Sequence, residues 1–303
     1  MTAPPEITVS YSELAAFRDC PLKHLLEYKQ RWARPEKEGT ALAKGILWHQ
    51  VMEAHYRSLK ATAGEPGHAS RLKLAKEKVM PYLHTQGGQS EDQALIQWMY
   101  EGYIQRWGVD PDWDILQVED KRVVPLPNAE GADSRFSIKV KIDLIVRVRS
   151  THRVWLVDHK SGKDLDREKD LDLDDQFGIY TWGMRQLGKP VHGFLYSGAR
   201  TYKLKTKEQP IEERFKRIPL SRTDLELSNL AWDAYRAARA AYSTQNAQPY
   251  SSPNPNQCHW KCDFTEAHLL ARKGVPIEQT LKASGFRQLD EKYQRIGKEH
   301  DGA

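Results

Sequence analysis

The chain has 303 residues, enough for one large domain or two modest ones with a real core. With 39% hydrophobic and 29% charged residues, and no apolar run near the roughly 20 residues of a membrane helix, it reads as soluble. The N-terminus lacks the basic-then-apolar order of a signal peptide, so the expected location is the cytoplasm, with no membrane partner. A net charge of +5 permits a polyanionic partner without demanding one, and three cysteines, an odd number, argue against a disulfide framework.

Pro4 and Pro5 mark residues 1–9 as a lead-in without regular structure. Ser10 and Ser12 are helix N-cap candidates for the stretch containing Leu14, Ala15 and Phe17. After a loop at Pro35–Gly39, helices are expected from about Ala41 to Leu59, from Ser70 to Leu83, and from beyond Gly88 to Trp107. The period then changes. Gln117–Leu126 reads as a strand, and from Phe136 to Val148 the even positions are apolar while the odd ones are mostly polar, which gives a strand with one buried face. A polar turn at 149–153 leads to Val154–Val157 and Asp158, so a hairpin is expected. A helix from Leu173 to Leu187 ends at Gly188 and Pro190, followed by strands at Val191–Ser197, Thr201–Thr206 and Phe215–Ile218. Thr223 and Glu226 form a capping box for a helix reaching Tyr242. Gln248–Gln257 reads as a loop, and the tail after about Lys292 as disordered.

The chemistry lies in the hairpin. Asp143 is on the polar face of its strand, and Asp158 and Lys160, two residues apart on the next, point the same way. Pairing of the strands would bring two carboxylates and an ammonium to one place. That is the inventory for phosphodiester hydrolysis, in which carboxylates hold Mg²⁺, the metal acidifies a water and a cation offsets charge on the phosphorane. A bare D-x-K tripeptide more often marks a surface ion pair. Here it is accompanied by Gln176 and Tyr180, four apart on the following helix, and by Gly45 and His49, four apart on an early one, where glycine would allow close backbone approach.

The ordered set G-x-x-x-H, D, D-x-K and Q-x-x-x-Y, opened by Ser10-Tyr11-Ser12-Glu13-Leu14 with Phe17, Cys20 and Pro21, resembles the PD-(D/E)XK nuclease superfamily, in its RecB-like and Cas4-like exonuclease branch. The resemblance runs from about Ser10 to His268. It implies an α/β, restriction-endonuclease-like core, a small mixed sheet flanked by helices, with a helical N-terminal part. The expected division is 1–110 helical, 111–245 nuclease core and 246–303 a C-terminal segment. His49, Asp143 and Asp158 match the metal ligands for Mg²⁺ or Mn²⁺, aided by the backbone carbonyl of His159. Lys160 matches the group that positions the attacking water, and Gln176 and Tyr180 match residues supporting the site and the DNA backbone. Glu119 is a candidate for an outer role. One departure is Val140, where the family often has glycine. By strand alternation, the His159 ring should face away from the metals.

Relatives in that branch carry a 4Fe–4S cluster on four cysteines. Cys20, Cys258 and Cys262 resemble three of them, with one extra residue between the last two, and His268 stands at the fourth position. Three thiolates and an imidazole suit an iron–sulfur cluster or, second, zinc; the bland alternative is three small buried side chains. Of nine tryptophans, Trp48, Trp98, Trp107, Trp155 and Trp182 suit a core. Trp32 beside Lys29, Arg31 and Arg34, or Tyr202 beside Lys203 and Lys205, would suit base stacking. The resulting expectation is a metal-dependent DNA exonuclease of recombination, repair or phage DNA processing. Its DNA would be single-stranded or bear free ends, and recombination or helicase proteins could be partners. An inactive DNA-binding adaptor and a structure-specific endonuclease are the alternatives.

Overall fold

The computed structural model describes residues 6–34, 40–65, 67–84, 88–127, 135–165, 168–201, 209–243 and 250–290. It is a mixed α/β protein, and among the described residues no helix is long and apolar enough to cross a membrane. The chain divides into two compact units, one of Met1–Lys37, Pro125–Lys139 and Ala231–Ala303, the other of Glu38–Val124 and Val140–Leu230.

In the first unit, the expected lead-in contains a strand, β1 (Ile7–Ser10). Four residues are too few to display a period of two, and the strand exists because it pairs in parallel with the opening of β4 (Phe136–Val148), Val9 opposite Ile138. Ser10 ends it and caps α1 (Tyr11–Asp19), its Oγ accepting from the Glu13 N–H, as a serine cap should. The chain continues through α2 (Pro21–His24), a π-helical turn at Leu25–Lys29 and β2 (Trp32–Ala33). Trp32 is 3% exposed, so it is no stacking platform: its indole joins Leu26, Phe264, Leu281 and Phe286 in a small core.

The second unit opens with α3 (Ala41–Ala61), α4 (His68–Leu83) and α5 (Glu91–Trp107), the last started by a full Ser90/Gln93 capping box. Their apolar faces (Trp48, Met52, Tyr56, Val79, Ile96, Tyr103) close over Leu144 and Val146 of β4 and Val157 of β5 (Val154–Gly162). Each such side chain, fully buried, contributes about 1.5–3 kcal/mol, which holds the helix layer on the sheet. Strand β3 (Trp113–Pro125) also pairs with β4. Beyond β5 come α6 (Glu168–Leu171), α7 (Asp175–Gln186), β6 (Val191–Arg200), α8 (Ile211–Arg214) and β7 (Phe215–Leu220). β4 and β5 are antiparallel, β5 and β6 parallel, β6 and β7 antiparallel, so the sheet is mixed as expected.

Helix α7 begins two residues later than its apolar pattern suggests, because Asp174 is the N-cap, accepting from the Gln176 N–H. Leu173 is left exposed outside the helix. The Thr223/Glu226 box starts α9 (Asp224–Ser243) as expected, Thr223 N–H and Oγ both donating to Glu226. The loop expected through Gln257 ends early, since Asn254 and Pro255 form an N-cap and first-turn pair that starts α10 (Pro255–Lys261). Then follow α11 (Thr265–Ala271), α12 (Ile277–Ala283) and β8 (Arg287–Gln288), which pairs antiparallel with β2. The Tyr202, Lys203 and Lys205 group, most of the expected Thr201–Thr206 strand and the tail after Lys292 lie outside the described residues.

Gly193 sets how closely β6 meets β7. A Cβ there would run into the carbonyl oxygen of Leu220, a backbone atom with no room to retreat. Gly193→Ala should therefore cost about 1–3 kcal/mol, seen as a lower urea midpoint.

Candidate active site

The paired register of β4 and β5 ends with Ile145 opposite Leu156 and Leu144 opposite Val157. One step further it brings Asp143 opposite Asp158, and there a side chain takes over from the ladder. The His159 N–H donates to Asp143 Oδ2 at 2.9 Å. Asp143 is 9% and Asp158 5% exposed, a depth at which charged groups need partners. Helix α3 supplies one: His49 Nδ1 lies 3.0 Å from Asp143 Oδ2. Strand β5 supplies the other, with Lys160 Nζ 2.7 Å from Asp158 Oδ2. His49, Asp143, Asp158 and Lys160, spread over 112 positions of sequence (160 minus 49, counting both ends), thus form one cluster.

Each charge answers to the others. Burial alone would raise the Asp143 carboxyl, but the charge and hydrogen bond of His49 outweigh it and hold Asp143 below the usual carboxylate range. Burial opposes the His49 imidazolium too, yet Asp143 lifts its pKa above the ordinary histidine value. Asp158 is raised, by burial foremost and by the Asp143 charge, with Lys160 pulling the other way. Lys160 stays firmly cationic, since Asp158 and Asp143 overcome its desolvation.

Helix α7 closes the cluster. Tyr180 is buried, hydrogen-bonded to Gln176 and within the field of Lys160; burial, the leading cause, pushes its hydroxyl up to about 12. The helix can come this near because of a glycine: a Cβ on Gly183 would sit 2.8 Å from Val140 Cγ2. Val140 occupies the strand position where the resemblance leads us to expect glycine, and the space its side chain fills is left open by Gly183. Gly45, by contrast, is under no such demand. A Cβ there would meet Ser161 Oγ at 4.0 Å, an ordinary contact, so no close approach within the protein depends on this glycine.

Glu119 sits in β3 at φ 51°, left-handed backbone that is rare for a side-chain-bearing residue in a strand. Its carboxylate lies 3.3 Å from Lys141 Nζ, and burial followed by the Asp143 charge raises its pKa, so it borders the cluster.

The His159 ring points into the layer of α3 and α5. It is buried, it stacks on Tyr56 (centroids 5.3 Å apart, 20° between planes) and meets Tyr103 edge-on, and neither ring nitrogen has a hydrogen-bond partner. Burial lowers its pKa to about 3, so the ring is neutral. Behind it lies a polar network that sequence reading missed. Tyr56 donates to Asp110 Oδ2 at 2.6 Å, and Arg217 donates to both Asp110 oxygens at 2.5 and 3.0 Å and to the Tyr103 hydroxyl at 2.8 Å. No spacing links positions 56, 103, 110 and 217; only the fold does.

In the first unit, Cys20, Cys258, Cys262 and His268 line one cavity of about 30 Å³. Cys20 Sγ accepts from the Ser252 N–H at 3.4 Å, the Thr265 hydroxyl donates to the carbonyls of Cys258 and Cys262, and burial raises the Cys262 thiol. All three cysteines are free.

Among the described residues, no three His, Cys, Asp or Glu side chains stand close enough to hold a metal ion in their present rotamers. The donor set of the hairpin nonetheless fits a hard divalent cation. It offers two buried carboxylates, Asp143 met by the His49 imidazole and Asp158 by the Lys160 ammonium at 2.7 Å.

A family model described as the PD-(D/E)XK nuclease superfamily matches residues 8–267. Among solved structures, a candidate exonuclease from Eubacterium rectale is similar at 15% identity with a TM-score of 0.44, covering 85% of this chain and 86% of that one. The protein SSO0001 is similar at 13% identity with a TM-score of 0.33, covering 78% of each chain. No curated protein matches the sequence.

Proposed function

The chain belongs to the PD-(D/E)XK nuclease superfamily, and on that premise we propose that it is a Mg²⁺- or Mn²⁺-dependent deoxyribonuclease that digests DNA from free ends. The observation that carries the reading is the convergence of His49, Asp143, Asp158 and Lys160. Asp143, Asp158, His49 and the His159 carbonyl would hold the cation, which when bound supplies charge for the scissile phosphate and acidity for a water. Lys160, cationic at any working pH, would orient the nucleophile and offset charge growing on the phosphoryl oxygens. Tyr180, protonated because its pKa is near 12, and Gln176 would donate hydrogen bonds along the DNA backbone and brace Lys160. The order of motifs favours the RecB-like and Cas4-like branch, and with it single-stranded or end-bearing DNA in recombination, repair or phage DNA processing.

The test uses linear and covalently closed circular DNA, single- and double-stranded, with Mg²⁺, Mn²⁺ or EDTA. Short products from linear DNA, none from circles and none in EDTA are expected. Cleavage of circles would convert the reading to an endonuclease. DNA binding without cleavage under any condition would leave only the adaptor.

For Cys20, Cys258, Cys262 and His268 we propose a 4Fe–4S cluster, with zinc the lesser fit; the reading rests on the resemblance of the cysteine order, since the four line one small cavity without standing close enough, as they are, to hold a metal ion. Iron, sulfide and zinc analysis of anaerobically purified protein should find iron and sulfide. Metal-free, fully folded protein would refute it.

A further inference from the structure

Helix α3 carries His49 and strand β5 carries Asp158 and Lys160, so the distance between helix and strand decides whether the cluster forms. No backbone ladder joins a helix to a strand; the separation is set by the side chains between them. Seven residues beyond His49, two turns and roughly 10 Å along the same helix face, is Tyr56. Its ring stacks on the imidazole of His159, the residue between Asp158 and Lys160. It also stacks on Trp113, with ring centres 6.1 Å apart and 26° between planes.

The Tyr56 hydroxyl is fixed as firmly as its ring. It donates to Asp110 and lies 2.6 Å from the Tyr103 hydroxyl, and Arg217 binds Asp110 through two bonds. The guanidinium in turn lies 3.9 Å from the ring centres of both Trp107 and Trp113. A plain apolar core would hold these helices as well or better, since a buried ion pair is seldom more stabilising than packed hydrocarbon. Hydrogen bonds at fixed length add geometry. The His159 ring, without hydrogen bonds of its own, takes its position from the surfaces that enclose it.

We propose that Tyr56, locked by Asp110 and Arg217, is a positioning residue that sets the helix-to-strand spacing of the metal-binding cluster. The inference rests on the nuclease reading above. It makes no use of Tyr56 touching DNA or the cation.

The experiment is Mn²⁺ binding by calorimetry on the full chain, paired with cleavage of a linear DNA at varied Mn²⁺ and varied DNA. Tyr56→Leu removes ring and hydroxyl; Tyr56→Phe keeps the ring. In folded protein, Tyr56→Leu should weaken Mn²⁺ binding by roughly tenfold or more and raise the Mn²⁺ needed for half-maximal cleavage equally, leaving KM for DNA within about twofold. Tyr56→Phe should fall between it and the wild type. A loss of stability alone would lower the active fraction without moving the Mn²⁺ midpoint, and unchanged Mn²⁺ affinity in folded Tyr56→Leu overturns the proposal. If Tyr56→Leu does not fold, Arg217→Lys, which keeps the charge and loses the two-point grip, takes its place under the same criterion. Wild-type protein that neither binds Mn²⁺ nor cuts DNA would instead bring down the nuclease reading itself.

Discussion

Asp158→Asn is expected to lower DNA cleavage by about a thousandfold, the scale for removing a group that acts on charge developing in the transition state, with melting temperature nearly unchanged. The two halves of that expectation have separate causes. Catalytically, asparagine keeps the shape of Asp158 but surrenders the charge that faces Lys160 and would face the cation. Structurally, Asp158 is a carboxylate whose ionised form is penalised by burial and by Asp143, so a neutral isostere relieves a cost. The ammonium it abandons retains the charge of Asp143 and, at 34% side-chain exposure, has water within reach. Cleavage assays and thermal melts on the same preparation check both halves. Asp158→Asn protein that cuts at the wild-type rate would remove Asp158 from the reaction.

Arg217→Met should have the largest effect on stability, about 3–5 kcal/mol. The Arg217 guanidinium neutralises a carboxylate, Asp110, that is nearly inaccessible to water, and it donates to Tyr103 as well. Removing it strands that buried charge, and takes away the cation that lies against Trp107 and Trp113. The contrast is the exposed Lys282–Glu278 pair, with both side chains 64% exposed, where water replaces either partner at little cost. Because the loss in Arg217→Met comes from an orphaned charge, Arg217→Met with Asp110→Asn should recover a good part of it. Chemical denaturation of the two variants and the wild type measures this, and a double variant no more stable than Arg217→Met would mean that packing, and not charge, carries the cost.

Much of this was legible in the sequence because the signals were local. The alternation over 136–148 announced β4, but not that the odd face is covered too, with Ser137, Asp143 and Ile145 all buried; the D-x-K spacing put Asp158 and Lys160 within reach of each other. Capping residues announced the starts of α1 and α9. What stayed hidden was long-range. β1 is a strand only because β4 is there to pair with it. Trp32, flanked by cations, looked like a stacking surface until Phe264 and Phe286, more than 200 residues away, covered it. The Tyr56, Asp110 and Arg217 network has no spacing rule at all, since a helix, a loop and a distant strand each contribute part of it.

The contact between Gly183 and Val140 has a consequence for the history of this chain. Strand and helix share a space that holds one isopropyl group, and here the strand has taken it. A relative with glycine at the strand position leaves that space open, so its α7 can carry alanine or serine where this chain requires glycine. The two sites should therefore covary among homologues, and a substitution at one is tolerable only in lineages where the other has already yielded.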